Sequence, residues 1–184
     1  MRRAKGRRGK GTSREAKKKP GAKKKIHRRA LSKPYEFLDH PADVGFVARG
    51  KSLAELFAAA ALAMCAYGWE LDTVRARQAI EIRVRAATVE DLLYSWLSEV
   101  LFLSDAEGWV FKQFTVSRVE AIPNAHAKSE AIQQALWEVR GMGRGERFDR
   151  RHHRARTYIK AVTYHQLGVE PRNGKWQATV YLDV

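Results

Sequence analysis

The stretch YEFLDHPADVG, residues 35–45, holds Asp39, His40 and Asp43 within five positions, and a further acid, Asp183, stands beside the last residue, Val184. Carboxylates and imidazole are donors for a divalent cation. The same residues also build turns: aspartates close Asx hydrogen bonds, and proline fixes φ in Asp39-His40-Pro41. Taken alone, the triplet fits turn chemistry better than a metal. His165, in TYHQL, has the character of a base, but no nucleophile stands beside it, and a structural strand histidine is the stronger reading. His152 and His153, in RFDRRHHRAR, are surrounded by cations that oppose a metal, so they read as a solvated loop or a phosphate contact. The chain carries no GxxxxGK[ST], no GxGxxG after a strand, no GxSxG and no HExxH, so its residues alone do not support a free-standing enzyme. The glycines of RGMGRGE, residues 140–146, precede no convincing helix and make a poor phosphate cradle.

These residues must be positioned by a modest scaffold. In KSLAELFAAAALAMCAYGWE, Ser52 with Glu55 forms a capping box, and Leu53, Leu56, Phe57, Ala60, Ala61 and Met64 recur at helical spacing up to a stop at Gly68. In TVEDLLYSWLSEVLFLSDAEGW, Thr88 with Asp91 opens a second helix striped by Leu92, Leu93, Trp96, Leu97, Val100 and Leu101. Strands are predicted at Phe46-Val47-Ala48 and over 79–86, 109–122, 136–146, 157–170 and 174–184; SEAIQQALWEV also reads as a helix start. Asn173-Gly174 between two alternating runs is a hairpin signal. The fold class is α+β, with two amphipathic helices packed on mostly antiparallel β-sheet.

The 184 residues divide into a basic tail, 1–33, and a single domain, 34–184. The tail holds 16 of the 35 lysines and arginines and one acid, Glu15, while the remainder has 19 of each sign. The net charge of +15 therefore belongs to the tail, and the high pI says little about the domain surface. With few large apolar residues the tail cannot offset the entropy of ordering, so it is expected to be disordered. It can hold RNA phosphates loosely, or be no more than a solvated extension. The longest uncharged run, Leu56–Trp69, is 14 residues, too short to span a bilayer. The single Cys65 within it reads as core. The chain is expected to be soluble and cytoplasmic.

Five blocks in order resemble the archease family: YEFLDHPADVGFVARGKSLAELFAAAALAM, VEDLLYSWLSEVLFLSDAEGWVF, GERFDRRHH, IKAVTYHQLGVE and the terminal GKWQATVYLDV. The resemblance covers Tyr35 to Val184 and leaves out the tail. It departs at Pro41, where the family commonly has threonine, and at PNAHAKSEAIQQALWE, which is longer than usual. It implies a protein cofactor, not an enzyme, that activates the GTP-dependent RNA ligase. That ligase seals tRNA halves and other RNAs ending in 3′-phosphate or 2′,3′-cyclic phosphate. The cofactor's role is to promote guanylylation of the ligase and multiple turnover. It also implies a divalent cation, Ca²⁺ as the bound ion with Mn²⁺ or Mg²⁺ possible in function, on Asp43, Asp183 and Val184. Lys160 is implicated as well, with Asp39, His40 and His165 as accessory candidates. Two rivals remain open at this point. One is a non-catalytic RNA-binding module or chaperone acting through the tail. The other is a metal-dependent hydrolase using Asp43 and Asp183 with His165 as base.

Overall fold

Two capped helices organise the domain. In the computed structural model, which describes residues 33–38, 44–123 and 135–184, α1 runs Leu53–Gly68 and α2 runs Val89–Asp105. Ser52 Oγ accepts from Glu55 N at 3.2 Å, and Thr88 Oγ1 accepts from Asp91 N at 3.1 Å. Each bond satisfies an amide that the first helical turn leaves without a partner. The described residues belong to one compact unit, Ser32–Val184. Apart from Lys33, the tail lies outside them.

The strands are β1 (Tyr35–Leu38), β2 (Val44–Gly50), β3 (Gln78–Ala86), β4 (Trp109–Ile122), β5 (Leu136–Arg147), β6 (Ala161–Val162), β7 (Gly168–Arg172) and β8 (Lys175–Asp183). They form two antiparallel sheets, β1-β2-β8 with β6 and β7 along the other edge of β8, and β3-β5-β4. Helix α1 packs against β2 and β4, whereas α2 covers β3 and reaches β4 and β5. Leu56, Phe57, Ala60 and Met64 of α1 meet Leu92, Leu93, Trp96, Leu97 and Val100 of α2 in one buried cluster. Trp96 Nε1 donates to Phe57 O at 3.1 Å, joining the helices inside it. Cys65 is buried there too, and burial pushes its thiol up to about 12.

One expectation changes. The run 157–170 is not one strand: it breaks between β6 and β7 into a turn in which Leu167 N donates to Tyr164 O at 3.2 Å and Gln166 takes φ 48°. The hairpin that follows does turn at Asn173 and Gly174, with φ of 52° and 72°. The segment 136–147 is a strand, and its glycines serve packing rather than phosphate. A Cβ on Gly143 would lie 2.8 Å from the ring of buried Phe111. We expect Gly143→Ala to destabilise the domain by about 1–3 kcal/mol through overpacking, which outweighs the roughly 0.4–1 kcal/mol an unfolded-state entropy gain returns. Urea denaturation checks it; an unchanged or raised midpoint would show that Phe111 has room to move.

Candidate functional site at the end of strand β8

Period-two alternation sorts β8 into Ala178, Val180 and Leu182, which are buried, and Thr179, Tyr181 and Asp183, which face the other way. The strand is held on both edges close to its end. Val44 of β2 pairs with Leu182 on one side, and Val162 and Ala161 of β6 pair with Leu182 and Asp183 on the other. Lys160 N donates to Asp183 O at 2.8 Å, extending that ladder by one residue.

The side chains then converge. Lys160 Nζ donates to Val184 O at 2.9 Å and stands 3.9 Å from Asp183 Oδ1. Thr163 donates twice to Tyr181 O, from N and from Oγ1, each at 3.1 Å. The His165 ring meets the Tyr181 ring edge-on at 5.4 Å and 62°. Thr163, His165, Tyr181, Asp183 and Val184, with Val44 and Leu182, line an open depression of about 240 Å³, and Lys160 stands at its edge through its bond to Val184. The turn that carries His165 is tied to α2: Tyr164 stacks on Tyr94 at 4.0 Å and donates its hydroxyl to Asp91 Oδ1 at 3.3 Å. Burial, followed by the charge of Asp91, raises the Tyr164 phenol above its ordinary range.

Lys160, Asp183, Val184 and His165 are thus brought to one place, and His165 sits in a turn instead of within a strand. Asp39, His40 and Asp43 lie outside the described residues. Among the described residues no group of three or more His, Cys, Asp or Glu stands together as a metal site, and Asp183 is the one acidic side chain lining the depression. Oxygen donors such as Asp183 and Val184 fit a hard cation, Ca²⁺, Mg²⁺ or Mn²⁺, better than zinc or copper. The Lys160 ammonium already marks the spot as one that attracts positive charge. Sequence reasoning passed over Tyr181 and Thr163. Tyr181 was findable, because it stands two residues before Asp183 in an alternating strand.

The second histidine cluster is structural. His153 is buried: its Nδ1 accepts from Asp149 N at 2.9 Å, and its Nε2 lies 3.1 Å from Glu146 Oε1. A ring whose Nδ1 accepts an amide proton carries its own proton on Nε2 and donates to Glu146. His152 is the exposed member and pairs with Asp149 at 3.0 Å. Neither the solvated-loop reading nor the phosphate reading describes His153, which anchors residues 149–153 to β5.

A family model described as the Archease protein family (MTH1598/TM1083) matches residues 35–184. The chain belongs to the archease family. It is 37% identical over 152 residues to the archease of Methanosarcina barkeri and 33% identical over 152 residues to that of Methanosarcina mazei, covering 83% of this chain and 97% of each relative. The solution structure of Methanobacterium thermoautotrophicum protein 1598 matches with a TM-score of 0.65 at 30% identity, over 83% of this chain and 99% of that one. The α+β arrangement of two helices on antiparallel sheets is therefore the archease fold. These relatives consist almost entirely of the domain and have no counterpart to residues 1–33. No helix among the described residues is long and apolar enough to cross a membrane.

Proposed function

We propose that this archease-family chain is a protein cofactor of the GTP-dependent RNA ligase, promoting ligase guanylylation and repeated turnover in tRNA splicing and RNA repair. The observation that carries this reading is the convergence of Asp183, Val184 and Lys160 at an exposed strand end, on residues that match the family's functional positions. Asp43 would complete the donor set. In the sequence it directly precedes Val44, which pairs with Leu182. Asp43 and Asp183 would hold the cation, with Val184 adding a further oxygen. Such an ion supplies electrostatic stabilisation to phosphate oxygens during nucleotidyl transfer.

The remaining roles fall to Lys160, Thr163 and His165. Lys160 neutralises part of the anionic charge while the site is free and can swing away on its flexible stem. Thr163 holds the Tyr181 carbonyl and His165 packs edge-on against the Tyr181 ring, which together set the wall of the depression. The exposed position lets a partner's active site receive these groups directly, so no covalent chemistry by this chain is needed.

The test is a ligation time course with limiting ligase, excess RNA bearing a 3′-phosphate and a 5′-hydroxyl, GTP and Mn²⁺. The full chain and a chain beginning at residue 33 should each convert a single turnover into many. No stimulation by either would refute the ligase reading, and stimulation lost with residues 1–32 would move the activity to the tail.

A further inference from the structure

The near-neutral balance of the domain conceals a separation of charge. Of the 14 arginines beyond residue 33, 12 lie between Arg75 and Arg156. Strand register sends many of them to one surface. On the face of β3-β5-β4 away from α2, Arg83 of β3, Arg140 of β5 and Arg118 of β4 stand in a row across the three strands. Arg85 and Arg144 flank that row; Glu81 and Glu120 share the face by the same register, and Arg118 pairs with Glu120 at 3.0 Å. Met142, at the middle of the central strand, is 39% exposed, so this face is open among the described residues. Helix α2, on the opposite side of the same sheet, carries Glu90, Asp91, Glu99 and Asp105 and no cation.

The row has a built centre. Glu138 is 1% exposed and receives three guanidinium groups: Arg83 through Nε and Nη2, Arg85 through Nε and Arg140 through Nε, at 2.5–2.9 Å. One carboxylate orients three arginines and balances only one of them. Among the described residues Arg85 and Arg140 bond Glu138 through Nε alone, which leaves both amino groups of each fork for another acceptor. The three side chains are 40–47% exposed, so that acceptor can reach them. Like charges gathered this closely repel unless an anion joins them.

We propose that the outer face of the β3-β5-β4 sheet binds the phosphodiester backbone of a nucleic-acid strand, through Arg83, Arg85, Arg118, Arg140 and Arg144. Planar forks suit phosphate oxygens, and the five cations named here are all arginine rather than lysine. The surface is also long. From Gln78 to Ala86, eight steps of extended chain along β3 span about 27 Å. A polyanion with regularly repeated charge fits such a ribbon better than the scattered carboxylates of an acidic protein. The contact reads backbone and not sequence, because the groups that carry it are guanidinium forks suited to phosphate oxygens. This surface is separate from Asp183 and stands whether or not the ligase reading holds.

The experiment uses residues 33–184, which match relatives built of this domain alone. It thereby removes the tail as a second polycation. A fluorescein-labelled single-stranded RNA is titrated by anisotropy at several salt concentrations. The domain should bind, with affinity falling steeply as salt rises. Replacing Arg118 and Arg144 together with glutamine leaves Glu138 untouched. It should weaken binding by about tenfold at low salt and flatten the log–log salt slope by about 0.7 per arginine. Arg118→Lys with Arg144→Lys should restore the slope, and Asp183→Asn should bind as the parent does. The proposal is overturned by no RNA binding at low salt, by an unaltered slope in the glutamine pair, or by poly-glutamate binding as tightly as RNA.

Discussion

Asp183→Ala should fold like the parent chain and lose nearly all stimulation of the RNA ligase. Both halves of that expectation follow from where the residue sits. Its side chain is 58% exposed, and its ion partner Lys160 is equally open at 3.9 Å. Exposed pairs of this kind hold little stability, so the melting temperature should stay within about 4 °C. The functional loss comes from removing the one acidic side chain among the described residues that line the site. Affinity for Mn²⁺, followed by the paramagnetic resonance of the free ion, should drop on the order of 100-fold. Asp183→Asn should behave the same way, since shape is kept and charge is not. Lys160→Met gives the opposite sign: without the ammonium beside Val184 O and Asp183, Mn²⁺ should bind more tightly. A merely structural lysine would leave Mn²⁺ affinity where it was. Equal Mn²⁺ binding by Asp183→Ala and the parent chain would remove Asp183 from the ligand set.

What could be read beforehand was local. Ser52 with Glu55 and Thr88 with Asp91 announced both helices, because a cap is chemistry between neighbours in sequence. The β4 run, Trp109–Ile122, was legible from alternation alone, and Asn173-Gly174 from the positive φ that its tight turn requires. Asp183 was legible through a resemblance between blocks of sequence, whereas its contact with Lys160 depends on β6 and β8 meeting in register. The break at Tyr164–Leu167 had no local signal. It arises because the chain leaves the β8 edge to stack Tyr164 on Tyr94 of α2, a contact between residues 70 positions apart. Glu138 was equally hidden. Nothing in LWEVRG marks a buried carboxylate until Arg85 is placed opposite it on β3. Neutral totals likewise do not record which face of a sheet each charge occupies, so the arginine row was not legible from the 19 charges of each sign.

Glu138 supplies the largest stability effect expected from a single charge. Burial alone would raise its carboxyl, but hydrogen bonds from Arg83, Arg85 and Arg140 outweigh that cost and bring it down from 4.5 to about 2. A folded-state value below the unfolded one means that the folded state binds this proton less readily. The stabilisation is complete above about pH 4.5 and is lost as pH falls toward 2. Glutamine at 138 offers one acceptor oxygen in place of two charged ones and turns an amide donor toward guanidinium donors. Glu138→Gln should therefore melt several degrees or more below the parent at pH 7, and the gap should close as the pH is lowered through 4.5 to 2. Other carboxylates, Glu146 and Asp149 among them, titrate on the same acid limb with lowered values. They do so in both chains and cancel in the difference curve. Arg85→Gln leaves two guanidiniums on the carboxylate, so its loss should be smaller and its acid limb shallower. A gap between parent and Glu138→Gln that stays constant from pH 7 to 2 would mean that the arginines are held by packing against the sheet, and that Glu138 does not organise them.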